Sequence, residues 1–99
     1  MIIVGQHKTQ VINLQNTAEI FADDRNRIKA NHVSGSGCMI AEYVTMEQAQ
    51  EALRLLIEAT ERHAETFTFP TSGEIAARMR QGETWHHAKG KKMKGHGGS

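Results

Sequence analysis

Six histidines in a chain of 99 residues raise the question of a transition-metal site. Two of them, His86 and His87, are adjacent, and His96 follows close to the end of the sequence. Imidazole nitrogen is a good ligand for zinc, copper and nickel. Adjacent residues rarely direct both rings to one ion, however, and the surrounding glycines leave the ligands without a fixed position. The spacing therefore favours solvated histidines, and we expect neither a metal site nor a cofactor.

The residues that can act as nucleophiles or acids lack the neighbours that catalysis needs. Cys38 is the only cysteine, and no local motif places a base beside it or beside a serine. Asp23 and Asp24 are typical of a polar turn, because no calcium-loop spacing of further oxygen ligands follows them. The Ser-Gly-Ser-Gly segment at 34–37 has no lysine and no following helix, so it is a loop and not a phosphate-binding site. These observations favour a protein that is not an enzyme.

The C-terminal tail, residues 84–99, is the clearest charge feature. It holds four lysines and no acid, a charge of +4, whereas residues 1–83 hold eight basic and all eleven acidic residues, a charge of −3. Positive charge near the stacking surface of Trp85 can hold a phosphate backbone without reading base sequence, and it can equally hold an acidic protein surface. The tail therefore predicts binding to nucleic acid or to an acidic surface through Lys89, Lys91, Lys92 and Lys94.

The elements that must position these residues fit a single domain. With 38% hydrophobic residues and one proline, the composition is that of a folded protein. No apolar run approaches the roughly 20 residues that span a bilayer, and the N-terminal segment does not resemble a signal peptide. A single cysteine also fits a reducing compartment. We therefore expect a cytoplasmic protein without a membrane partner.

Short β-branched and alternating segments predict five strands joined by polar turns, which favours meander order. In the fourth strand His32 alternates in step with Ile28 and Ala30, so we expect a partly buried structural histidine. The predicted strands cover about Ile2–Val4, Val11–Leu14, Ala18–Asp23, Ile28–Val33 and Cys38–Val44.

A long amphipathic helix is predicted from Met46 to His63. Thr45 can cap its first turn, and Gln48 can reach back to the cap amide as a capping box. Apolar residues then recur at three- and four-residue spacing. A shorter helix is predicted to start near Ser72 and reach Gln81, although a single turn packed on the body or on another chain fits the pattern equally well.

The fold class is therefore α+β: an antiparallel β-meander of four or five strands, one long amphipathic helix packed on it, and a basic C-terminal extension. We expect one domain at 1–83 and the tail at 84–99, with the boundary near Gly82. A small sheet with one helix leaves apolar side chains to cover, which predicts an association surface and a homodimer, while simple core packing is equally compatible. The residues assigned to this surface are Phe67, Phe69, Ile75, Met79 and Trp85.

The segments IIVGQHKTQVINLQN, AEYVTMEQAQEALRLLIEA and FTFP resemble a group of small uncharacterised proteins encoded by phages and prophage-like elements of Firmicutes. Those proteins share the patterns I-I-x-x-D-x-x-x-I-V-N-x-D-N and G-E-Y-x-T-x-E-x-A-x-E-x-L. The resemblance covers about residues 1–70, with Ala41 in place of the glycine and Gln15 in place of the second aspartate. It implies a phage or mobile-element origin, a bacterial host cytoplasm, and a host or phage protein as partner. It assigns no active-site residue.

Together these observations lead to two hypotheses. The first is a non-enzymatic protein-binding module that inhibits a host protein or defence complex, with an anti-CRISPR-like role as one form. The alternative is a nucleic-acid-binding accessory protein that uses the basic tail.

Overall fold

The computed structural model describes residues 1–81, and in that part of the chain the α+β class is confirmed. The boundary at Gly82 and the tail at 84–99, with Trp85 and the four lysines, lie outside the described residues. The helices are α1 (Met46–Glu61) and α2 (72–81), and one turn of 3-10 helix (Leu14–Asn16) connects the second strand to the third. The strands are β1 (Ile2–Val4), β2 (Val11–Asn13), β3 (Thr17–Ala22), β4 (Arg27–His32), β5 (Gly37–Glu42) and β6 (Thr66–Thr68).

These strands form two three-stranded sheets and not the predicted single meander of four or five strands. The first sheet has the order β2-β1-β6, and the second has the order β3-β4-β5. β1 is antiparallel to β2, with Ile3 opposite Ile12, and parallel to β6, with Ile3 opposite Phe67. A parallel neighbour requires a long crossover, which here consists of the second sheet and α1. The 3-10 turn after β2 separates the two sheets in sequence.

The second sheet is an antiparallel meander with one face toward the interior. Ile20, Ala30 and Cys38 lie opposite one another on that face, while Phe21, Lys29 and Met39 form the neighbouring row on the other face. The register shifts once in each strand pair, as expected for β-bulges.

The core lies between the two sheets and the helices. α1 contributes a stripe of small and branched side chains, Ala49, Ala52 and Leu56, which are at most 7% exposed. Ile3 comes from the first sheet and Ile28 from the second, and both are fully buried. This contiguous core is what holds the two short sheets together, since a three-stranded sheet cannot bury its apolar face alone.

Both ends of α1 have specific caps. The Thr45 hydroxyl accepts a hydrogen bond from the Gln48 amide at 3.1 Å, as predicted, but the Gln48 side chain accepts from the Val44 amide and not from that of Thr45. α1 ends at Glu61, two residues before the predicted end, because His63 adopts the left-handed conformation with φ 60°. The His63 amide then donates to the Thr60 carbonyl, and the Ala64 amide donates to the Ala59 carbonyl, both at 3.0 Å.

α2 begins with a reciprocal capping box. The Glu74 amide donates to the Thr71 hydroxyl at 3.1 Å, and the Thr71 amide donates to the Glu74 carboxylate at 2.8 Å. Ile75, one residue later, is fully buried, and Arg78 forms an ion pair with Glu51 of α1 at 3.2 Å. Within residues 1–81, no helix has both the length and the apolar character needed to cross a bilayer.

Gln6 joins the two sheets. Its backbone amide donates to the Ile40 carbonyl at 2.8 Å, and its side-chain amide donates to the carbonyls of Glu42 at 2.9 Å and Pro70 at 3.2 Å. Its side-chain oxygen accepts from the Glu42 amide at 2.9 Å. The preceding Gly5 allows this approach, since a Cβ there would lie 3.2 Å from the Ile40 carbonyl oxygen.

Candidate interaction surface

The predicted association residues lie in or against the core. Phe69 is 1% exposed and Ile75 is fully buried, so neither side chain can contact a partner in this structure. Phe67 packs edge-on against Phe69, with ring centroids 5.0 Å apart, and Met79 is partly buried against the same cluster. This burial agrees with simple core packing, the alternative that the sequence left equally open. Trp85, the fifth residue of this prediction, is outside the described part of the chain.

The structure exposes apolar side chains on the outer face of the first sheet, among other places. Cross-strand partners share a face, so the row opposite the inward-facing side chains of Ile3, Ile12 and Phe67 points outward. None of its members is charged, and Val11 is 64% exposed while Ile2 is 39% exposed. We call this surface the outer face; it consists of Ile2, Val4, Val11, Asn13, Thr66 and Thr68.

The sequence of β1 contains a signal for the outer face. Ile2, Ile3 and Val4 are apolar at every position, whereas a strand with one solvated face alternates apolar and polar residues. A continuous apolar run predicts apolar side chains on both faces of a strand. The inner one of these, Ile3, fills the core, and the other two remain on the outside.

The corresponding face of the second sheet is charged. It includes Lys29 beside Phe21 and Met39, and the Asp23 carboxylate pairs there with the Arg27 guanidinium at 2.9 Å and with the Lys29 ammonium at 3.4 Å. Burial raises the pKa of Asp23, but hydrogen bonds from the amides of Arg27 and Arg25 and from the two basic side chains outweigh it and hold that pKa well below its usual value. Asp23 is therefore a structural residue of the β3–β4 turn, in agreement with the predicted polar turn.

A cleft of about 330 Å³ lies between the free edge of β2 and the loop end of the second sheet. Its far wall includes Ala30, His32 and Cys38, and Asn16 and Thr17 line it where β3 begins. None of the side chains that line the cleft is a lysine, an arginine or a carboxylate. Cys38 is a free, partly exposed thiol.

His32 and Cys38 both line the cleft, but they do not have the hydrogen bonding of a nucleophile and its base. His32 Nδ1 accepts a hydrogen bond from the Ser34 amide at 3.0 Å and lies 2.8 Å from the Ser34 hydroxyl. A neutral ring that accepts at Nδ1 carries its proton on Nε2, which is then a donor and cannot take a proton from a thiol. His32 is also exposed, where the strand pattern predicted a partly buried side chain.

Among residues 1–81, no group of three or more His, Cys, Asp or Glu side chains lies close enough together to hold a metal ion. His86, His87 and His96 belong to the tail and lie outside that part. Comparison with known proteins gave no match to a family model, to a curated protein or to a solved structure. The phage resemblance of the sequence pattern therefore stays a prediction.

Proposed function

We propose that the chain is a non-enzymatic protein-binding module of phage or mobile-element origin, which acts by occupying a surface on a host protein or defence complex in the bacterial cytoplasm. The observation that supports this proposal is the outer face, an uncharged sheet surface on which Val11 is 64% exposed and Ile2 is 39% exposed. Contiguous exposed apolar surface is uncommon on monomeric proteins and is typical of association sites.

Charge distinguishes the outer face from the corresponding face of the second sheet. A partner that covered Asp23, Arg27 and Lys29 would have to desolvate an ion-paired cluster, which is costly even when the pairs remain intact. The outer face has no charged group to desolvate, and the centres of protein interfaces are depleted in charged residues. Its β-branched side chains also lose little rotamer freedom when a partner covers them.

Substitution of Val11 by glutamate tests this proposal, with Val44→Glu as the matched control. Val44 is 73% exposed and lies in the loop between β5 and α1, and it is not part of the outer face. The immobilised full chain is used to capture proteins from a bacterial lysate, and each captured protein is quantified for the three baits. We expect Val11→Glu to reduce capture of a specific partner at least about ten-fold and Val44→Glu to leave it unchanged.

Equal capture by the two variants would contradict the assignment of the outer face. A chain that captures no protein and turns over a metabolite would contradict the non-enzymatic function as a whole. Size-exclusion chromatography of the same three proteins tests the expected homodimer. If a second copy covers the outer face, Val11→Glu shifts the protein to the monomer and Val44→Glu does not.

The charge of the tail favours a second candidate function, binding of nucleic acid. Four lysines within residues 84–99 with no acid among them provide a salt-sensitive contact to phosphates. Mobility-shift titrations with a duplex should then give a plot of log affinity against log salt with a slope of roughly −3 to −4. A chain that ends at residue 83 should give no shift, and an unchanged shift would eliminate this candidate.

A further inference from the structure

The backbone of β2 presents hydrogen-bonding groups at the edge of the first sheet. The Gly5 amide donates to the Gln10 carbonyl at 2.8 Å, and the Leu14 amide donates to the Met1 carbonyl at 3.0 Å. Because antiparallel strands turn alternate peptide groups toward each other, the residues at positions 10, 12 and 14 face β1. The amide and carbonyl of Val11 and the amide of Asn13 therefore point away from β1, along the outer side of a strand that lies at the edge of its sheet among residues 1–81. The Asn13 carbonyl already accepts a hydrogen bond from the Thr17 hydroxyl at 3.0 Å.

This edge opens into the cleft. β2 forms one wall of the 330 Å³ space, and the small side chains of Ala30 and Cys38 contribute to the opposite wall. The volume is at the lower end of the range for ligand sites, about 300–1,000 Å³. An added strand in this space would therefore find backbone partners on one side and apolar contacts on the other.

In the second sheet, the edge strand β5 is covered by Gln6. Gln6 donates its backbone amide to the Ile40 carbonyl of β5 at 2.8 Å and accepts the Glu42 amide of β5 at 2.9 Å through its side chain. Gln6 thus takes the place of a neighbouring strand along β5. Proteins commonly protect edge strands in this way, since free edges pair with other chains. The edge of β2 has instead a cleft beside it.

We infer that the cleft takes an extended, uncharged peptide segment of the partner, which adds to the first sheet beside β2. This inference rests on the proposed binding function and specifies how the partner binds. An extended backbone supplies donors and acceptors at the two-residue spacing of Val11 and Asn13. Charged side chains would be desolvated in the cleft without an opposite charge, since no lysine, arginine or carboxylate lines it. The cleft therefore selects neutral sequences.

The probe for this inference is an acetylated and amidated pentapeptide of alternating threonine and valine, titrated into the full-length, ¹⁵N-labelled protein. The control peptide has the same sequence with every amide N-methylated, so that it cannot donate hydrogen bonds. We expect the amide resonances of Val11 and Asn13 to shift and their hydrogen exchange to slow, while the amide of Ile12, which faces β1, does not gain protection. The N-methylated peptide should bind at least about ten-fold more weakly.

Cys38 provides a second, independent test, because it is the only cysteine in the chain and lines the cleft. Alkylation of Cys38 with iodoacetamide should weaken peptide binding at least about ten-fold by filling the cleft. Cys38→Ser protein exposed to the same reagent should bind as the untreated protein does. An unchanged thermal unfolding midpoint after alkylation would show that the effect is local.

Three results would overturn strand addition at β2: no binding of the pentapeptide, equal binding of the N-methylated peptide, or binding that alkylation does not affect. These results are separable from failure of the proposed function. Capture of a partner that is lost in Val11→Glu but unaffected by alkylation leaves the outer face as the binding surface and removes the cleft. If neither Val11→Glu nor alkylation of Cys38 affects capture, then neither the outer face nor the cleft is the binding surface.

Discussion

At the scale of single residues, the side chain of Gln6 makes the most consequential polar contacts. It is 6% exposed, and its amide group donates to two carbonyls and accepts from one amide. The Pro70 carbonyl also accepts from the Tyr43 hydroxyl at 2.7 Å, so the two side chains meet at one acceptor. Burial and the nearby Glu74 raise the pKa of Tyr43, which keeps its hydroxyl protonated as the donor.

Substitution of Gln6 by glutamate should destabilise the fold by about 2–4 kcal/mol, because a carboxylate cannot donate to the carbonyls of Glu42 and Pro70 and places a charge in a buried site. Urea unfolding followed by circular dichroism measures the change. Gln15→Glu is the matched control at an exposed position and should lie within about 0.5 kcal/mol of the parent protein. Similar values for the two variants would show that the side chain of Gln6 does not join the sheets.

Asp23 makes stability depend on acid pH. A carboxylate whose pKa is lowered in the folded state contributes stability above its unfolded-state pKa of about 3.9, and this contribution disappears as the pH falls further toward the folded-state pKa. Asp23→Asn should therefore be less stable than the parent at about pH 7 and lose less stability between about pH 5 and pH 2. Urea unfolding across this range measures both effects. Asp24→Asn, at the exposed neighbouring position, should retain the acid dependence of the parent.

At the scale of elements, the end of α1 contains a residue in an unfavourable conformation. His63 adopts φ 60°, a left-handed geometry that costs a residue with a Cβ atom but not glycine. It follows Arg62, which is the C-cap of the helix and has ordinary right-handed angles, φ −81° and ψ −2°. The helix therefore stops where the chain turns toward β6, without the glycine that usually occupies that position.

Replacement of His63 by glycine should stabilise the protein by about 0.5–1 kcal/mol, since the left-handed geometry is retained at lower cost. Arg62→Gly is the adjacent control and should destabilise by a similar amount, because there glycine adds only chain entropy to the unfolded state. Thermal and urea unfolding of the two variants measure whether each substitution raises or lowers the free energy of unfolding. Destabilisation by both substitutions would contradict the role of His63 in ending α1.

The position of the elements was more accessible from the sequence than their pairing. A run of β-branched residues located the strand near Val11, two-residue alternation located the strand near Ile28, and Thr45 marked the start of α1, because these signals are local. The parallel pairing of Ile3 with Phe67 depends on the path of the whole chain, which no local pattern records. Phe69 and Ile75 illustrate the same limit, since apolar residues at regular spacing are typical of both a core and an interface. The capping box of Thr71 and Glu74 is a local signal too, because the two residues have the T-x-x-E spacing.

At the scale of the whole molecule, the described residues share one interior. The buried cluster within residues 1–81 runs from Ile3 to Ile75. The division into a domain at 1–83 and a tail at 84–99 stays a prediction. The binding surface that we propose belongs to the domain, and the second candidate function belongs to the tail.

A chain that ends at residue 83 should therefore unfold cooperatively, with a free energy of unfolding within about 0.5–1 kcal/mol of the full chain. Urea unfolding monitored at two wavelengths measures the cooperativity and the free energy of unfolding. A shorter chain that ends at residue 70 is the control and should not fold, because it lacks α2 and the buried side chain of Ile75. A large loss of stability in the chain that ends at residue 83 would show that the tail contributes to the core.

The parallel pairing of β1 with β6 also has a consequence during synthesis. The ribosome produces β1 and β2 before β6, and a two-stranded hairpin is at best marginally stable in water. β1 can acquire its second neighbour only after Thr66–Thr68 has left the exit tunnel. Until then the apolar strand Ile2–Val4 has no partner on one edge, so nascent chains from which β6 has not yet emerged are exposed to chaperone capture and proteolysis.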